Sequence, residues 1–161
     1  MPLERHFKMT ELLPHEGRML LLDEMLDAGE EHVVCGVTIR PDSMFCDGAS
    51  GVPSWVGLEY MAQTASTYSG IDEARSGRRP SIGLLLGSRR YKAEASFFSI
   101  GAKLRVEAQL LLRDENDLVA FDCRILDGER VLARGDVKAY RPKDVFAVVY
   151  GERIDENRRE S

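Results

Sequence analysis

The sequence predicts an α+β domain: a curved antiparallel sheet around one long central helix. Three observations carry this. Residues 53–74 hold few charges, and Trp55, Val56, Leu58, Met61, Ala62 and Ala65 spread around the whole circumference of a helix, as in a buried one. The second half of the chain alternates apolar and polar residues in successive runs, the period-two signature of half-buried strands. The order is strands, one helix, then more strands. A helix apolar on every side cannot lie on a flat sheet with its other face wet, so the sheet must curl around it or a second subunit must cover it.

Each element has a local reason. Residues 10–15 read as a short helical turn that Pro14 stops, because proline disfavours helix in the residue before it. Residues 19–23 are a short apolar run compatible with a buried strand. Between Glu31 and Arg40, Val33, Cys35, Val37 and Ile39 alternate with Val34, Gly36 and Thr38, which is a strand. Residues 41–51 collect Asp42, Asp47, Gly48, Ser50 and Gly51 and form a loop. The helix follows, with Pro53 in its first turn, where a missing N–H costs nothing. Residues 76–80 connect it to an apolar strand over 82–86 that continues through 89–92. Leu104, Val106, Ala108, Leu110 and Leu112 then alternate with polar residues, Leu111 being the exception. Residues 114–117 turn the chain into a second alternating run around Val119, Phe121, Cys123 and Ile125. Asp127-Gly128 signals a two-residue hairpin, and a third strand runs over 130–140. Residues 1–145 read as one domain. Residues 146–161 read as a tail, since only Ile154 is apolar between Glu152 and Ser161.

Composition narrows the function classes. With 161 residues and 43% apolar content there is chain enough for one sound core. A formal charge of −5 argues against nucleic acid as the main partner. Glu59 and the small polar residues argue against the helix as a membrane span, and the N-terminus has no apolar signal core. Cys35, Cys46 and Cys123 are odd in number and widely spaced, which fits neither a disulfide framework nor a metal site. The reading is a cytoplasmic protein with reduced thiols.

Two features point toward chemistry. Glu59 interrupts the apolar run of the helix, with Gln63 one turn on and Ser66 two turns on, on one face. A carboxylate in apolar surroundings needs a reason. It is either a structural group bonded to backbone or to Gln63, or a working acid. Arg75, Arg78, Arg79, Arg89, Arg90 and Lys92 fall within residues 75–92 with no acidic residue among them. That stretch is either a solvated basic surface or a docking patch for an acidic partner or phosphate.

The segment Leu12-Leu-Pro-His-Glu-Gly-Arg-Met-Leu-Leu-Leu-Asp23 resembles an L-P-H-R-x-P-x-L-L-x-D motif, and Pro53 to Gln63 resembles a P-G-x-x-x-x-E-x-M-A-Q helix start. Both belong to the 3-hydroxyacyl-acyl-carrier-protein dehydratases of the hot-dog fold, and the resemblance covers residues 12–140. It implies that Glu59 stands at the catalytic acid position. It also implies an acyl carrier protein as partner, docking on Arg78, Arg79, Arg89, Arg90 and Lys92. The substrate would ride on the carrier's phosphopantetheine, with no separate cofactor and no metal. The implied assembly is a dimer whose site lies between subunits.

The chain departs from the family where it matters. These dehydratases carry a histidine in a G-H-F-P loop ahead of the helix, and here that loop reads Met44-Phe-Cys-Asp-Gly-Ala-Ser-Gly-Val-Pro53. Phe45, Asp47, Gly51, Pro53 and Trp55 instead resemble a divergent branch that includes proteins of aryl polyene pathways. Dehydration takes a base for the α-proton and an acid for the leaving hydroxyl. Asp47 is the nearest ionisable substitute for the lost base. His15, Gln63 and Trp55 are candidate substrate-binding residues; Trp55 and Tyr60 read most simply as core or interface residues, with lining an acyl tunnel as their alternative role. Cys46 has no histidine beside it in sequence to make it a nucleophile. Three functions stay open: a dehydratase using Glu59 and Asp47, a half-site subunit pairing with a histidine-bearing homologue, and a thioesterase.

Overall fold

Alternation along the C-terminal half becomes three long antiparallel strands in the computed structural model, which describes residues 7–80, 84–116 and 118–140. The short helix α1 (Met9–Leu12) leads to β1 (Glu24–Ala28) and β2 (His32–Thr38). A two-residue strand β3 (Val52–Pro53) precedes the central helix α2 (Gly57–Arg75). Then come β4 (Leu84–Gly87), β5 (Lys92–Ala93), β6 (Phe97–Phe98), β7 (Lys103–Arg113), β8 (Leu118–Asp127) and β9 (Arg130–Tyr140). The main sheet runs β1-β2-β7-β8-β9-β4, all antiparallel, with β5 also paired to β9; β3 and β6 make a separate small pair. Helix α2 packs on β2, β7, β8 and β9. A curved antiparallel sheet around one long helix is the expected architecture.

Burial follows the pleat. Val33, Cys35, Val37, Leu104, Val106, Ala108, Phe121, Cys123 and Ile125 are buried against Tyr60, Met61 and Ala65 of the helix. The outer sheet face is polar: Glu107 pairs with Arg124 at 2.5 Å and Arg105 at 3.1 Å. The exception at Leu111 has a cause, because the β7–β8 register shifts between Leu110 and Leu112. A bulge there leaves Leu111 63% exposed. The core thiols Cys35 and Cys123 are unreactive: burial pushes Cys35 up to about 12 and raises Cys123 further.

Several boundaries differ from the sequence reading. Pro53 is not in the first helical turn but pairs with Phe97 in β3, and a 3₁₀ turn over Ser54–Val56 leads into α2. Residues 20–23 are not a strand. The Leu21 N–H finds the Gln63 side chain rather than a neighbouring strand, so β1 begins only at Glu24. The strand expected through residue 92 breaks after Gly87 and resumes as β5, since the N–H groups of Arg89 and Arg90 go to the Asp136 carboxylate instead of β9 backbone. Ile82 and the tail lie outside the described residues. The β8–β9 loop is Gly128-Glu129, with a positive φ of 60° at Gly128 alone, the pattern of a type II′ turn.

One close approach positions the N-terminal segment. A Cβ at Gly70 would collide with the Leu12 carbonyl, so only glycine lets α1 cross α2 there. This contact lays residues 13–22 along the helix and brings His15 to its first turn.

Candidate functional site

Glu59 stands in the first turn of α2. Gln63, fully buried one turn on, holds three neighbours. Its Nε2 donates to the Glu59 Oε1 at 3.1 Å and to the Met19 carbonyl at 2.8 Å, while its Oε1 accepts the Leu21 N–H at 3.0 Å. Gln63 thereby ties residues 19–21 to the helix and fixes the Glu59 carboxylate. His15 reaches the same carboxylate from the N-terminal segment, with Nε2 3.8 Å from Oε1. Its Nδ1 is buried and has no hydrogen-bond partner among the described residues. The three form one corner built from one chain.

This corner opens outward. The Glu59 side chain is 41% exposed and that of His15 28%. Glu59 lies on a helical stripe with Leu58, Ala62, Ser66 and Ser69, all only half buried, while the opposite face of α2 is buried on the sheet. The helix is thus not covered on every side by the described residues. At the near end of the stripe Trp55, 63% exposed, meets exposed Phe45 edge to face at 5.4 Å. Phe45 has a φ of 68°, a costly left-handed conformation for an aromatic residue.

Asp47 sits differently. Its Oδ1 accepts the N–H groups of Ala49, Ser50 and Gly51 at 2.7–3.0 Å, which shapes the loop before β3. These bonds, the one from Gly51 foremost, hold its carboxyl below the ordinary carboxylate range. A carboxylate so stabilised as an anion is a poor proton acceptor. Asp47 shapes its own loop, and among the described residues no hydrogen bond joins it to Glu59.

With this geometry in view, the profile of the ApeP-like family, ApeP dehydratase, matches residues 7–150. The chain belongs to the ApeP dehydratase family. One solved relative is the dehydratase heterocomplex ApeI:P from Xenorhabdus doucetiae: 31% identity, TM-score 0.81, covering 89% of this chain and 97% of that one. Zebra fish thioesterase superfamily member 2 superposes with TM-score 0.59 at 17% identity, covering 81% and 88% of the two chains. A Helicobacter felis homologue of HP0420 does so with TM-score 0.61 at 12% identity, covering 89% and 96%. These two share the fold alone. No curated protein matches the chain.

In this ApeP-family chain the cations of residues 75–92 do not form one patch. Arg75, Arg78 and Arg79 stand at the C-terminal end of α2, where the Arg78 N–H bonds the Glu73 carbonyl. Arg89, Arg90 and Lys92 stand at the other end. There Tyr91 donates its hydroxyl to the Ser54 carbonyl and Lys92 pairs with Arg134. Helix α2, 19 residues and about 28 Å long, runs from beside Ser54, which Tyr91 touches, to Arg75. Only the second group lies at the Glu59 end. Among the described residues no cluster of three or more His, Cys, Asp or Glu is placed to hold a metal, and no helix is long and apolar enough to cross a membrane.

Sequence reasoning missed a cavity beside this corner. It holds about 260 Å³ and lies between residues 18–23, the end of β2 and the 40–44 loop, with Tyr60 among its lining. Its parts are scattered along the chain, so no motif reports it.

Proposed function

We propose that this chain is one half of a heteromeric 3-hydroxyacyl-carrier dehydratase, supplying Glu59 to a site that a histidine-bearing homologue completes. The observation that carries this is the Glu59 corner: an oriented carboxylate on the half-open face of the helix, in a chain whose loop has lost the family histidine. The relative at 31% identity being a dehydratase heterocomplex supports the pairing. The three backbone bonds to the Asp47 Oδ1, which lower its carboxyl, make it a weak substitute base in the same chain.

In this reading the partner's histidine takes the α-proton of the 3-hydroxyacyl thioester. The Cα–H electron pair forms the double bond, the Cβ–O bond breaks, and Glu59 delivers a proton to the departing hydroxyl, which leaves as water. Gln63 donates to Glu59 and so sets which carboxylate oxygen faces the substrate. The positive end of α2 lies beside the thioester oxygen, where it stabilises developing negative charge. Trp55 and Phe45, exposed next to this corner, supply an apolar rim for the partner subunit. An acyl carrier protein approaches over Arg89, Arg90 and Lys92, the cations at the Glu59 end.

A second reading has its own observation. His15, 3.8 Å from Glu59 with an unpartnered Nδ1, would act as the base in a self-sufficient homodimer. Dehydration of 3-hydroxyacyl carrier protein by the purified chain, alone and mixed with a histidine-bearing dehydratase homologue, separates the two. The half-site reading expects turnover only in the mixture, with a heterodimer in light scattering. Equal turnover by the chain alone, abolished by His15→Ala, would replace it with the second.

A further inference from the structure

The N-terminal segment delivers an imidazole to Glu59 in a fixed orientation. Leu12 and Leu13, both buried, anchor the chain just ahead of His15, and the Leu12 carbonyl presses against Gly70 of α2. Behind His15, Met19 and Leu21 are tied to Gln63. Held from both sides, His15 brings Nε2 to 3.8 Å from the Glu59 Oε1. Its Nδ1 is buried and has no hydrogen-bond partner among the described residues.

These surroundings decide which nitrogen carries the proton. A neutral imidazole has one N–H and one lone pair to place. Buried N–H groups without an acceptor are rarer than buried acceptors without a donor, so the lone pair belongs on Nδ1 and the proton on Nε2. The N–H then points at a carboxylate, which attracts it. His15 keeps no lone pair for substrate in this arrangement, because the only one is buried.

The Glu59 Oε1 therefore faces two donors, His15 Nε2 and Gln63 Nε2, the latter at 3.1 Å. Among the described residues the side-chain contacts of Glu59 run to Oε1 alone. An oxygen that faces two N–H groups cannot also turn an O–H toward them, so the acid form of Glu59 carries its proton on Oε2. When that proton leaves, the two donors remain on the anion and stabilise it. A distance of 3.8 Å is long for a hydrogen bond, and catalytic contacts of this kind tighten when the assembled site closes on substrate.

We propose that His15 is a positioning residue: with Gln63 it clamps the Glu59 Oε1, so that the proton for the leaving hydroxyl sits on Oε2. The Oε2–H bond breaks as the proton passes to the departing hydroxyl, which leaves as water, and the electron pair stays on the carboxylate. The proposal rests on the half-site reading above and gives His15 no contact with the reacting atoms.

The test uses the chain paired with its histidine-bearing homologue. Glutamine keeps an N–H near the place of the imidazole Nε2 but cannot take up a proton, whereas leucine removes the donor. His15→Leu should lower kcat for 3-hydroxyacyl carrier protein roughly tenfold with KM unchanged, as for one lost hydrogen bond to a charged group. His15→Gln should stay within about threefold of wild type. A base would instead lose roughly 10²–10⁴ in both variants. Equal losses in the two, a silent His15→Leu, or a change in KM alone would overturn the proposal. The second readout needs no turnover: nitrogen NMR of the complex, with this chain isotope-labelled and its His15 signal assigned by its absence in His15→Gln. At about pH 8, where an ordinary imidazole is neutral, the His15 ring should carry its proton on Nε2. A proton on Nδ1 would overturn the proposal whatever the kinetics. A complex that dehydrates nothing yet shows the Nε2–H form sinks the dehydratase reading and leaves the clamp on Glu59 standing.

Discussion

Glu59 and Asp47 are carboxylates in one short stretch of chain, and their surroundings differ. Asp47 spends one oxygen on three backbone N–H groups of its own loop and is held as an anion. Glu59 accepts a single neutral amide bond, faces an imidazole across 3.8 Å, and keeps much of its surface open. The difference lies in where their bonds run: Glu59 bonds a side chain of its own helix beside His15, while Asp47 bonds the backbone of its own loop.

The largest effect expected of this contrast is at Glu59. Glu59→Gln keeps the volume and an acceptor for Gln63 but removes the ionisable proton, so dehydration by the assembled enzyme should fall roughly 10²–10⁴-fold with folding intact. Asp47→Asn in the same assay should stay within about threefold of wild type. The comparison breaks if the two variants lose activity equally.

A smaller effect concerns the two cation groups. Reversing Arg89 and Arg90 to Glu should lower kcat/KM for carrier-linked substrate by roughly tenfold at low ionic strength, and less at high salt. Reversing Arg78 and Arg79, beyond the C-terminal end of α2, should change it little. A pantetheine-linked substrate should be indifferent to both pairs. Matching losses from the two pairs would show that docking extends over both helix ends.

The smallest effect is in the pH dependence of stability. The Asp47 carboxyl is lowered by its backbone bonds, so what it contributes is fully present above the ordinary carboxylate value and is lost as pH falls through its lower folded value. Melting curves of wild type and Asp47→Ala should therefore be furthest apart near neutral pH and converge as pH falls below the ordinary carboxylate value. A Tm difference that is constant over that range would mean that Asp47 acts on the loop through packing and not through its charge.

What the residues alone determine here is what repeats locally. The alternation of β7, β8 and β9, the apolar central helix, and Glu59 standing out within it are all legible, since burial on one face of a regular element imposes its period on the sequence. The exception at Leu111 is visible in the sequence, but only the strand register shows that it is a bulge. The sequence also carries Glu59 and Gln63 one turn apart, which on any helix share a face. Tertiary structure alone decides the rest. It sends the Leu21 N–H to Gln63, 42 positions away, and so turns an expected strand into a strap beside the helix. It parts six cations that are neighbours in sequence, gives Asp47 to its own loop, and puts Tyr60 in the wall of a cavity. Each of these outcomes depends on which polar group is satisfied by which distant partner, and no local period encodes that.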